Sequence, residues 1–160
     1  MTAAKRRPAN CGKSSADMSP RLEHANLYVS DIDEMVSFLQ TAIPEFKVRH
    51  DETGSDGDRW VHIGTDSSYI ALNQATEKPS GDWAPYSGKP GVNHLGYAVE
   101  SVDQVRRRLL AAGYQESSVD NNHPFRRRVY FYDSEGRDWE FVEYLSDEMN
   151  ERNDYSLPDS

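Results

Sequence analysis

The stretch Val92–Val99 (VNHLGYAV) decides the fold, because the chain has already used the same pattern in Leu22–Val29 (LEHANLYV). Apolar and aromatic residues predict that both stretches are strands, and the third residue of each is a histidine. Aligning His24 with His94 also aligns later residues of matching type: Val29 with Val99, Ile32 with Val102, Asp33 with Asp103, and Leu39 with Leu109. Matches that stay in register over such a span indicate an internal repeat.

Each repeat predicts a strand, an amphipathic helix and three further strands. In the first repeat Ser30 can cap the helix, acidic residues occupy its first turn, and Pro44 ends it. In the second repeat Ser101 and Gln104 form a capping-box pattern, and Gly113 closes the helix. The remaining strands are expected at 46–50, 59–64 and 68–74, and then at 114–119, 126–133 and 138–145. The chain therefore predicts an α+β fold built from two βαβββ modules.

Composition along the chain predicts one domain between two polar ends. The expected divisions are a flexible N-terminal tail at 1–20, a domain at 21–145, and an acidic C-terminal tail at 146–160 that either docks or stays free. Within the domain we expect module one at 21–75, a linker at 76–91 and module two at 92–145. The linker is rich in proline and glycine, but Trp83 and Tyr86 favour packing against the domain. A transit peptide is the alternative interpretation of the N-terminal tail.

Charge and cysteine content exclude several classes of partner. The formal net charge is −9, and such an acidic chain repels phosphate backbones, so we expect no nucleic-acid partner. No apolar run approaches the roughly 20 residues that span a bilayer, so we expect no membrane insertion. Cys11 is the only cysteine and cannot form an internal disulfide, which favours a cytoplasmic location.

Two histidines, His24 and His94, and the carboxylate of Glu140 lie on predicted strands and suggest a metal site. Residues two apart in a strand share a face, and Gly136 fits the left-handed position of a tight turn at Asp133–Arg137. That turn sets Tyr130 opposite Glu140. A carboxylate within such an apolar strand needs a partner, because burying an unpaired charge is costly. Two histidines and one carboxylate would suit a divalent Fe, Mn, Zn, Ni or Co ion.

The chain resembles the vicinal oxygen chelate superfamily, which includes glyoxalase I, extradiol dioxygenases, fosfomycin-resistance thiol transferases and bleomycin-binding proteins. The residues that carry this resemblance are Leu22–Val29, Asn93–Val99 and the aromatic-Asp-x-x-Gly-x-x-x-Glu pattern within Tyr130–Glu143. The resemblance covers about residues 22–145. It implies two βαβββ modules whose curled mixed sheets form a cup around one divalent metal ion.

The same resemblance implies the site residues. By position His24, His94 and Glu140 would be the metal ligands, and Tyr130 would be a catalytic residue beside the substrate. Small members of the superfamily often form homodimers, in which His24 of one chain would join His94 and Glu140 of the other. We expect further residues to line the substrate-binding site: Asn26, Trp60, His62, Asn73 and Arg128.

Simpler interpretations stay open for most of these residues. His62, like His50 and His123, is more often a packed histidine than a ligand, and Tyr130 has an even chance of being a packed strand aromatic. Arg128 favours an anionic substrate only if it enters the cup; an ion pair with the acidic tail is equally consistent. The Arg106–Arg108 run is expected to be a solvated helix face.

One position, Ala71, departs from the glyoxalase I pattern and argues against that activity. Glyoxalase I has a second metal-binding glutamate where this chain has Ala71, so true glyoxalase I activity is not expected. The sequence favours a glyoxalase-like, metal-dependent enzyme acting on a small oxygen-rich substrate by dioxygenase, lyase or thiol-transferase chemistry. One alternative is a metal-free, ligand-sequestering protein of the bleomycin-resistance type. Another is a regulatory protein whose metal is structural.

Overall fold

The computed structural model describes residues 20–77, 85–117 and 122–157, and their elements follow the order expected for two repeats. The first module contains β1 (His24–Val29), α1 (Ile32–Ala42), β2 (Lys47–Thr53), β3 (Arg59–Gly64) and β4 (Tyr69–Gln74). The second contains β5 (His94–Ala98), α2 (Val102–Ala111), β6 (Glu116–Ser117), β7 (Arg126–Tyr132) and β8 (Asp138–Tyr144), and α3 (Met149–Arg152) follows it.

The described strands form two four-stranded sheets of the same topology, β1-β4-β3-β2 and β5-β8-β7-β6. In each sheet the first strand runs parallel to the last strand, and all other neighbours are antiparallel. This arrangement confirms the predicted α+β fold of two βαβββ modules. Of the strand predicted at 114–119, Glu116 and Ser117 pair with β7, and the carbonyl of Gln115 accepts from the N–H of Tyr132 at 3.0 Å. Residues 118–119 lie outside the described residues.

The first helix is capped by a different residue from the one predicted. Asp31 has extended backbone angles, and its Oδ1 accepts a hydrogen bond from the backbone N–H of Glu34 at 3.0 Å. The backbone N–H of Ser30 donates instead to Glu135 in the second module. Ser101 caps α2 as expected, accepting from the N–H of Gln104 at 3.4 Å. Both caps satisfy N–H groups that the first helical turn leaves free.

The two helices pack together on one side of the sheets and join the modules into one core. Phe38 of α1 contacts Trp139 of β8, with 5.8 Å between the ring centroids. Arg108 of α2 donates to the backbone carbonyls of Thr41 and Ala42 at 2.9 and 2.6 Å, at the end of α1. The prediction that the Arg106–Arg108 run is a solvated face was therefore wrong for Arg108. Its charge stabilises carbonyls that no later residue of α1 can pair.

The first strands of the modules, β1 and β5, lie beside each other, and residues of both line two small cavities. Arg137 reaches across this seam and donates to the carbonyl of Tyr28 at 2.7 Å. Along β1 the residues alternate: Ala25 and Leu27 pack against the core, while His24, Asn26 and Tyr28 are exposed on the other side. We call that other side of both sheets, opposite the helices, the outer face.

The segment after β8 packs against the second module as far as it is described. The ring Nε2 of His123 donates to the carbonyl of Asp154 at 3.0 Å, and its Nδ1 accepts from the N–H of Phe125 at 3.2 Å. Arg126 lies 5.4 Å over the ring of Tyr155. His123 is thus a packed, hydrogen-bonded histidine. Trp83 and residues 1–19 of the N-terminal tail predicted at 1–20 lie outside the described residues. No described helix is long and apolar enough to cross a membrane.

Candidate metal centre

His94 and Glu140 meet on the outer face of the second module. The parallel register of β5 and β8 sets Gly96 beside Glu140, and the Nε2 atom of His94 lies 3.2 Å from Oε2 of Glu140. The other ring nitrogen, Nδ1, lies 3.1 Å from Oδ1 of Asn93. When Nδ1 donates its proton to that amide oxygen, Nε2 carries the lone pair that a metal ligand needs. A carboxylate and an imidazole nitrogen therefore converge on one point.

Gly96 leaves the space that the Glu140 carboxylate occupies. A Cβ atom at position 96 would meet Oε2 of Glu140 at 3.2 Å, closer than an ordinary van der Waals contact. The glycine thus allows the carboxylate to fold over β5 toward His94. Neither ring nor carboxylate is deeply buried, with 33% and 15% of the side-chain surface exposed, so the pair is accessible to a ligand.

Tyr130 holds the second oxygen of the same carboxylate. The turn at Asp133–Arg137 has Gly136 at a φ of 81°, and the resulting register confirms the predicted pairing of Tyr130 with Glu140. The hydroxyl of Tyr130 donates to Oε1 of Glu140 at 2.6 Å. Burial, and then the bond to Glu140, raise the pKa of Tyr130 above its usual value, while Arg128 opposes the increase. Tyr130 is therefore protonated at neutral pH and fixes the orientation of Glu140.

His24 lies apart from this pair, on the outer face of the first module. Its Nδ1 is 3.1 Å from Oε2 of Glu23, and its ring stacks on Tyr69 with 4.9 Å between centroids. Within residues 20–77, 85–117 and 122–157 of one chain, no three His, Cys, Asp or Glu side chains converge to hold a metal ion. A single chain thus presents the three predicted ligands as a pair and a separate third residue.

Around His24 the outer face of module one carries a continuous row of rings. Tyr69 lies between His24 and His62, and Trp60 lies between His62 and His50, with centroid distances of 4.3–5.0 Å between neighbours. We call these five residues the ring row. Burial lowers the pKa of His62, and the nearby His50, Arg49 and His24 lower it further. His62 is therefore neutral at pH 7.

The other predicted lining residues also lie on strands of the two modules. Asn73 donates from Nδ2 to Oδ1 of Asn26 at 2.5 Å, which joins β4 to β1 on the outer face. Arg128 lies opposite Val142 in the β7–β8 register, two residues from Tyr130 on the same face. The structure therefore groups Arg128 with the His94–Glu140 pair, and Asn26 and Asn73 with the ring row.

Two residues near the pair were missed from the sequence, namely Asp138 and Tyr86. The hydroxyl of Tyr86 donates to Oδ2 of Asp138 at 2.6 Å. Asp138 is 1% exposed, and burial raises its pKa although the bonds from Tyr86 and Ser117 oppose the increase. Asp138 could have been found, because it lies two residues before Glu140 and so shares its face. Tyr86 could not, because nothing in a linker sequence reports which strand the linker touches.

The class of protein follows from this fold and from a family match. The family described as the Glyoxalase/Bleomycin resistance protein/Dioxygenase superfamily matches residues 21–141, and the chain belongs to it. No curated protein sequence matches the chain significantly.

Solved structures with the same fold have low sequence identity to the chain. The glyoxylase/bleomycin resistance protein/dioxygenase domain from Frankia sp. EAN1pec has 22% identity and a TM-score of 0.63, covering 78% of this chain and 98% of that one. The fosfomycin resistance protein FosX from Listeria monocytogenes, complexed with Mn(II) and sulfate, has 18% identity and a TM-score of 0.58, covering 84% and 98%. The trypanothione-dependent glyoxalase I of Leishmania major has 18% identity and a TM-score of 0.60, covering 78% and 87%. Identities in this range support the shared fold only.

Proposed function

We propose that the protein is a metal-dependent enzyme of this superfamily that acts on a small, oxygen-rich substrate. The observation that carries the proposal is the His94–Glu140 pair, with Nε2 and Oε2 3.2 Å apart and Glu140 oriented by Tyr130. Imidazole and carboxylate are donors for divalent Fe, Mn, Zn, Ni or Co. A divalent metal bound there would polarise oxygens of the substrate.

We further propose that His24 joins the pair from the partner chain of a homodimer. His24 is the repeat equivalent of His94, yet within one chain it lies in the ring row, away from Glu140. Both residues project from exposed outer faces. A two-fold dimer that stacks outer faces would bring module one of one chain over module two of the other, and a closed symmetric dimer would form two such sites.

In this arrangement each chain contributes a different set of residues to the binding site. Tyr130 orients Glu140 with its hydroxyl proton, and it would donate that proton to a substrate oxygen only by giving up the bond to Glu140. Arg128 beside it favours a substrate with negative charge. Asn26, Asn73, Trp60 and His62 from the partner would line the opposite wall with amide donors and aromatic surface.

Ala71 limits the chemistry that this site can perform. It pairs with His62 on one side and with Asn26 on the other, and it is 5% exposed. No carboxylate is available at this position to move a proton between carbons, as glyoxalase I chemistry requires. We therefore favour dioxygenase, lyase or thiol-transferase chemistry, each of which can proceed with one carboxylate ligand and a tyrosine.

Metal content of the purified protein tests the proposal. The protein should be prepared without chelator and its bound metal measured by mass spectrometry, for the wild type and for His24→Ala, His94→Ala and Glu140→Ala. We expect the wild type to hold about one metal ion per chain and each variant to lose most of it. His123→Ala is the matched control, because His123 is a packed histidine of the same domain. A wild type that holds no more metal than Glu140→Ala, with both far below one ion per chain, would favour the metal-free binding protein instead.

Mixing two inactive variants tests the shared site. In a dimer of one His24→Ala chain and one Glu140→Ala chain, one site receives both altered residues and the other receives none. After random exchange of chains, the mixture should recover about one quarter of the wild-type metal. If His24, His94 and Glu140 acted within one chain, mixing would recover none.

Assays of the metal-loaded protein distinguish the reaction types. Iron with dioxygen uptake on a catechol would identify a dioxygenase, and consumption of a thiol would identify a transferase.

A further inference from the structure

Tyr86 lies beside the candidate metal centre, on the outer face of module two. Its hydroxyl donates to Oδ2 of Asp138 at 2.6 Å, and its ring centroid is 6.3 Å from that of His94. The ring centroid of Tyr130 is 5.7 Å from the same imidazole. The proposed function gives a role to Tyr130 and leaves Tyr86 without one.

Asp138 fixes the phenol of Tyr86 from beneath. It is 1% exposed, and its Oδ2 accepts from Tyr86 and, at 3.4 Å, from the hydroxyl of Ser117. Its Oδ1 is buried without a hydrogen-bond partner among the described residues. Burying a carboxylate is costly, and one this deep is out of reach of a ligand. We therefore assign its use to the residue that it holds.

The backbone of Tyr86 indicates that its side chain is needed at this place. Its φ of 63° lies in the left-handed region, and among the described residues other than glycine only Tyr86 has a positive φ. A bulky side chain seldom adopts this conformation, and such outliers concentrate at functional sites. The same linker places a glycine at Gly88, where φ is 75°. A linker that only had to turn at position 86 could use glycine there too.

The ring of Tyr86 stays accessible although its hydroxyl is held. Tyr86 is 57% exposed, whereas Tyr130 is 5% exposed. Of the two tyrosines beside His94, Tyr86 thus presents the larger free ring surface. The imidazole of His94 is itself 33% exposed. A ligand that reaches His94 from the outer face therefore meets a rigid aromatic surface at Tyr86.

The hydroxyl of Tyr86 is unsuited to move a proton. Burial raises the pKa of Tyr86 above its usual value, and Asp138, Tyr130 and Tyr132 raise it further. The hydroxyl is therefore protonated at neutral pH, and its proton is engaged by Asp138. What Tyr86 can offer a substrate is the shape of its ring.

We propose that Tyr86 is a specificity-determining residue, whose ring forms one wall of the substrate site beside His94 and limits the bulk next to the metal-bound oxygens. The substrate class it selects is a molecule with two adjacent oxygens whose oxygen-bearing carbon is unbranched. The inference rests on the proposed function, because it requires a metal at the His94–Glu140 pair.

Two 2-hydroxy acids that differ only in bulk test this wall. Glycolate and 2-hydroxy-2-methylpropanoate both offer a hydroxyl and a carboxylate oxygen to a metal, and the second adds two methyl groups at the carbon between them. Each is titrated by calorimetry into protein whose metal content has been measured. We expect the wild type to prefer glycolate by about tenfold or more, as a pocket wall does against added methyl groups.

Variants of Tyr86 should change this preference according to the size of the side chain. Tyr86→Ala removes the wall and should bring the ratio of the two affinities close to one. Tyr86→Phe keeps the ring and should keep most of the preference, whereas Tyr86→Trp enlarges the ring and should raise it. Tyr155→Ala makes the same truncation at another exposed tyrosine and should retain the wild-type ratio.

Acylation of histidines by diethyl pyrocarbonate in the presence of chelator tests the position of Tyr86 without metal. In Tyr86→Ala, His94 loses the ring beside it and should be modified faster than in wild type, as followed by mass spectrometry of its peptide. His24 lies on the other module, with 43% of its side chain exposed, and its rate should be the same in both proteins.

The inference is overturned if metal-loaded wild type shows no preference for glycolate, or if a folded Tyr86→Ala keeps the wild-type preference. An unchanged rate of modification at His94 in Tyr86→Ala would also overturn it. Should Tyr86→Ala fail to fold, a Tyr86→Trp protein with the wild-type ratio would do so in its place. A wild type without metal contradicts the proposed function instead, and the modification rates still test where the ring lies.

Discussion

At the scale of single residues, the hydroxyl of Tyr130 is the group on which the geometry of Glu140 depends. It donates to Oε1 at 2.6 Å, while Oε2 faces His94. We predict that Tyr130→Phe keeps the fold but weakens metal binding by about 10- to 100-fold, as loss of a hydrogen bond to a ligating carboxylate does elsewhere. Calorimetric metal titration measures the change. Tyr155→Phe, at an exposed tyrosine, is the control, and equal affinities in wild type and Tyr130→Phe would contradict the role.

The glycine beside Glu140 provides a second test at this scale. In Gly96→Ala the new methyl group would lie 3.2 Å from Oε2 of Glu140, so the carboxylate must move by a few tenths of an ångström from its position beside His94. We predict that stability without metal changes by less than about 1 kcal/mol, whereas metal affinity falls. Thermal unfolding in chelator and metal titration of the same samples separate these effects. A variant that binds metal as tightly as wild type would show that the carboxylate needs no such space.

Single residues also show how far the sequence could predict the site. Period-two alternation and the turn around Gly136 were enough to put Tyr130 and Glu140 on one face, because both signals are local. His94 followed from the repeat. Tyr86 could not be found, because it meets Asp138 across 52 residues of sequence and linker sequence carries no register. Asp138 itself follows from the same alternation, since it lies two residues before Glu140.

At the scale of elements, α1 is capped by Asp31, the residue after the Ser30 that the sequence predicted. Ser30 and Asp31 are both good N-caps, but the N–H of Glu34 bonds to Asp31 at 3.0 Å. We predict that Asp31→Ala lowers the free energy of unfolding by about 0.5–2 kcal/mol. Ser30→Ala should change it little, because Ser30 contributes only its backbone to the described bonds. Urea unfolding of both variants measures these changes. An equal loss of unfolding free energy in the two variants would contradict Asp31 as the cap.

The junction of the two helices depends on Arg108. Its guanidinium bonds to two carbonyls at the end of α1, at 2.9 and 2.6 Å, and so ties α2 to the other module. We predict that Arg108→Ala lowers the free energy of unfolding by about 1.5–3 kcal/mol, the usual range for hydrogen bonds to a charged group. Arg107→Ala, at the neighbouring exposed position, should change it by less than about 0.5 kcal/mol. Comparable losses of unfolding free energy in both variants would indicate a general effect of helix charge and contradict a specific role of the Arg108 contact.

At the scale of the whole molecule, the sequence predicted the architecture but could not predict how the two modules face each other. The echo of Leu22–Val29 in Val92–Val99 specifies two like modules, since each strand pattern is local. The seam between β1 and β5 and the packing of α1 on α2 depend instead on non-local contacts such as those of Arg137 and Arg108. These contacts leave His24 apart from Glu140 within one chain, so a metal site that uses both residues requires a second chain.

If the metal is held by both chains, metal binding and dimerisation must be linked. A ligand that binds only the dimer stabilises it, and at a metal concentration about 100 times its dissociation constant each site adds about 2.7 kcal/mol. We therefore predict that metal shifts the monomer–dimer equilibrium toward the dimer, as measured by sedimentation over a dilution series with metal and with chelator. His24→Ala should abolish the effect of metal while leaving any dimer formed in chelator unchanged. If dilution to monomer released no metal, the ligands would lie within one chain, and the two outer faces would have to meet by a movement of the modules instead.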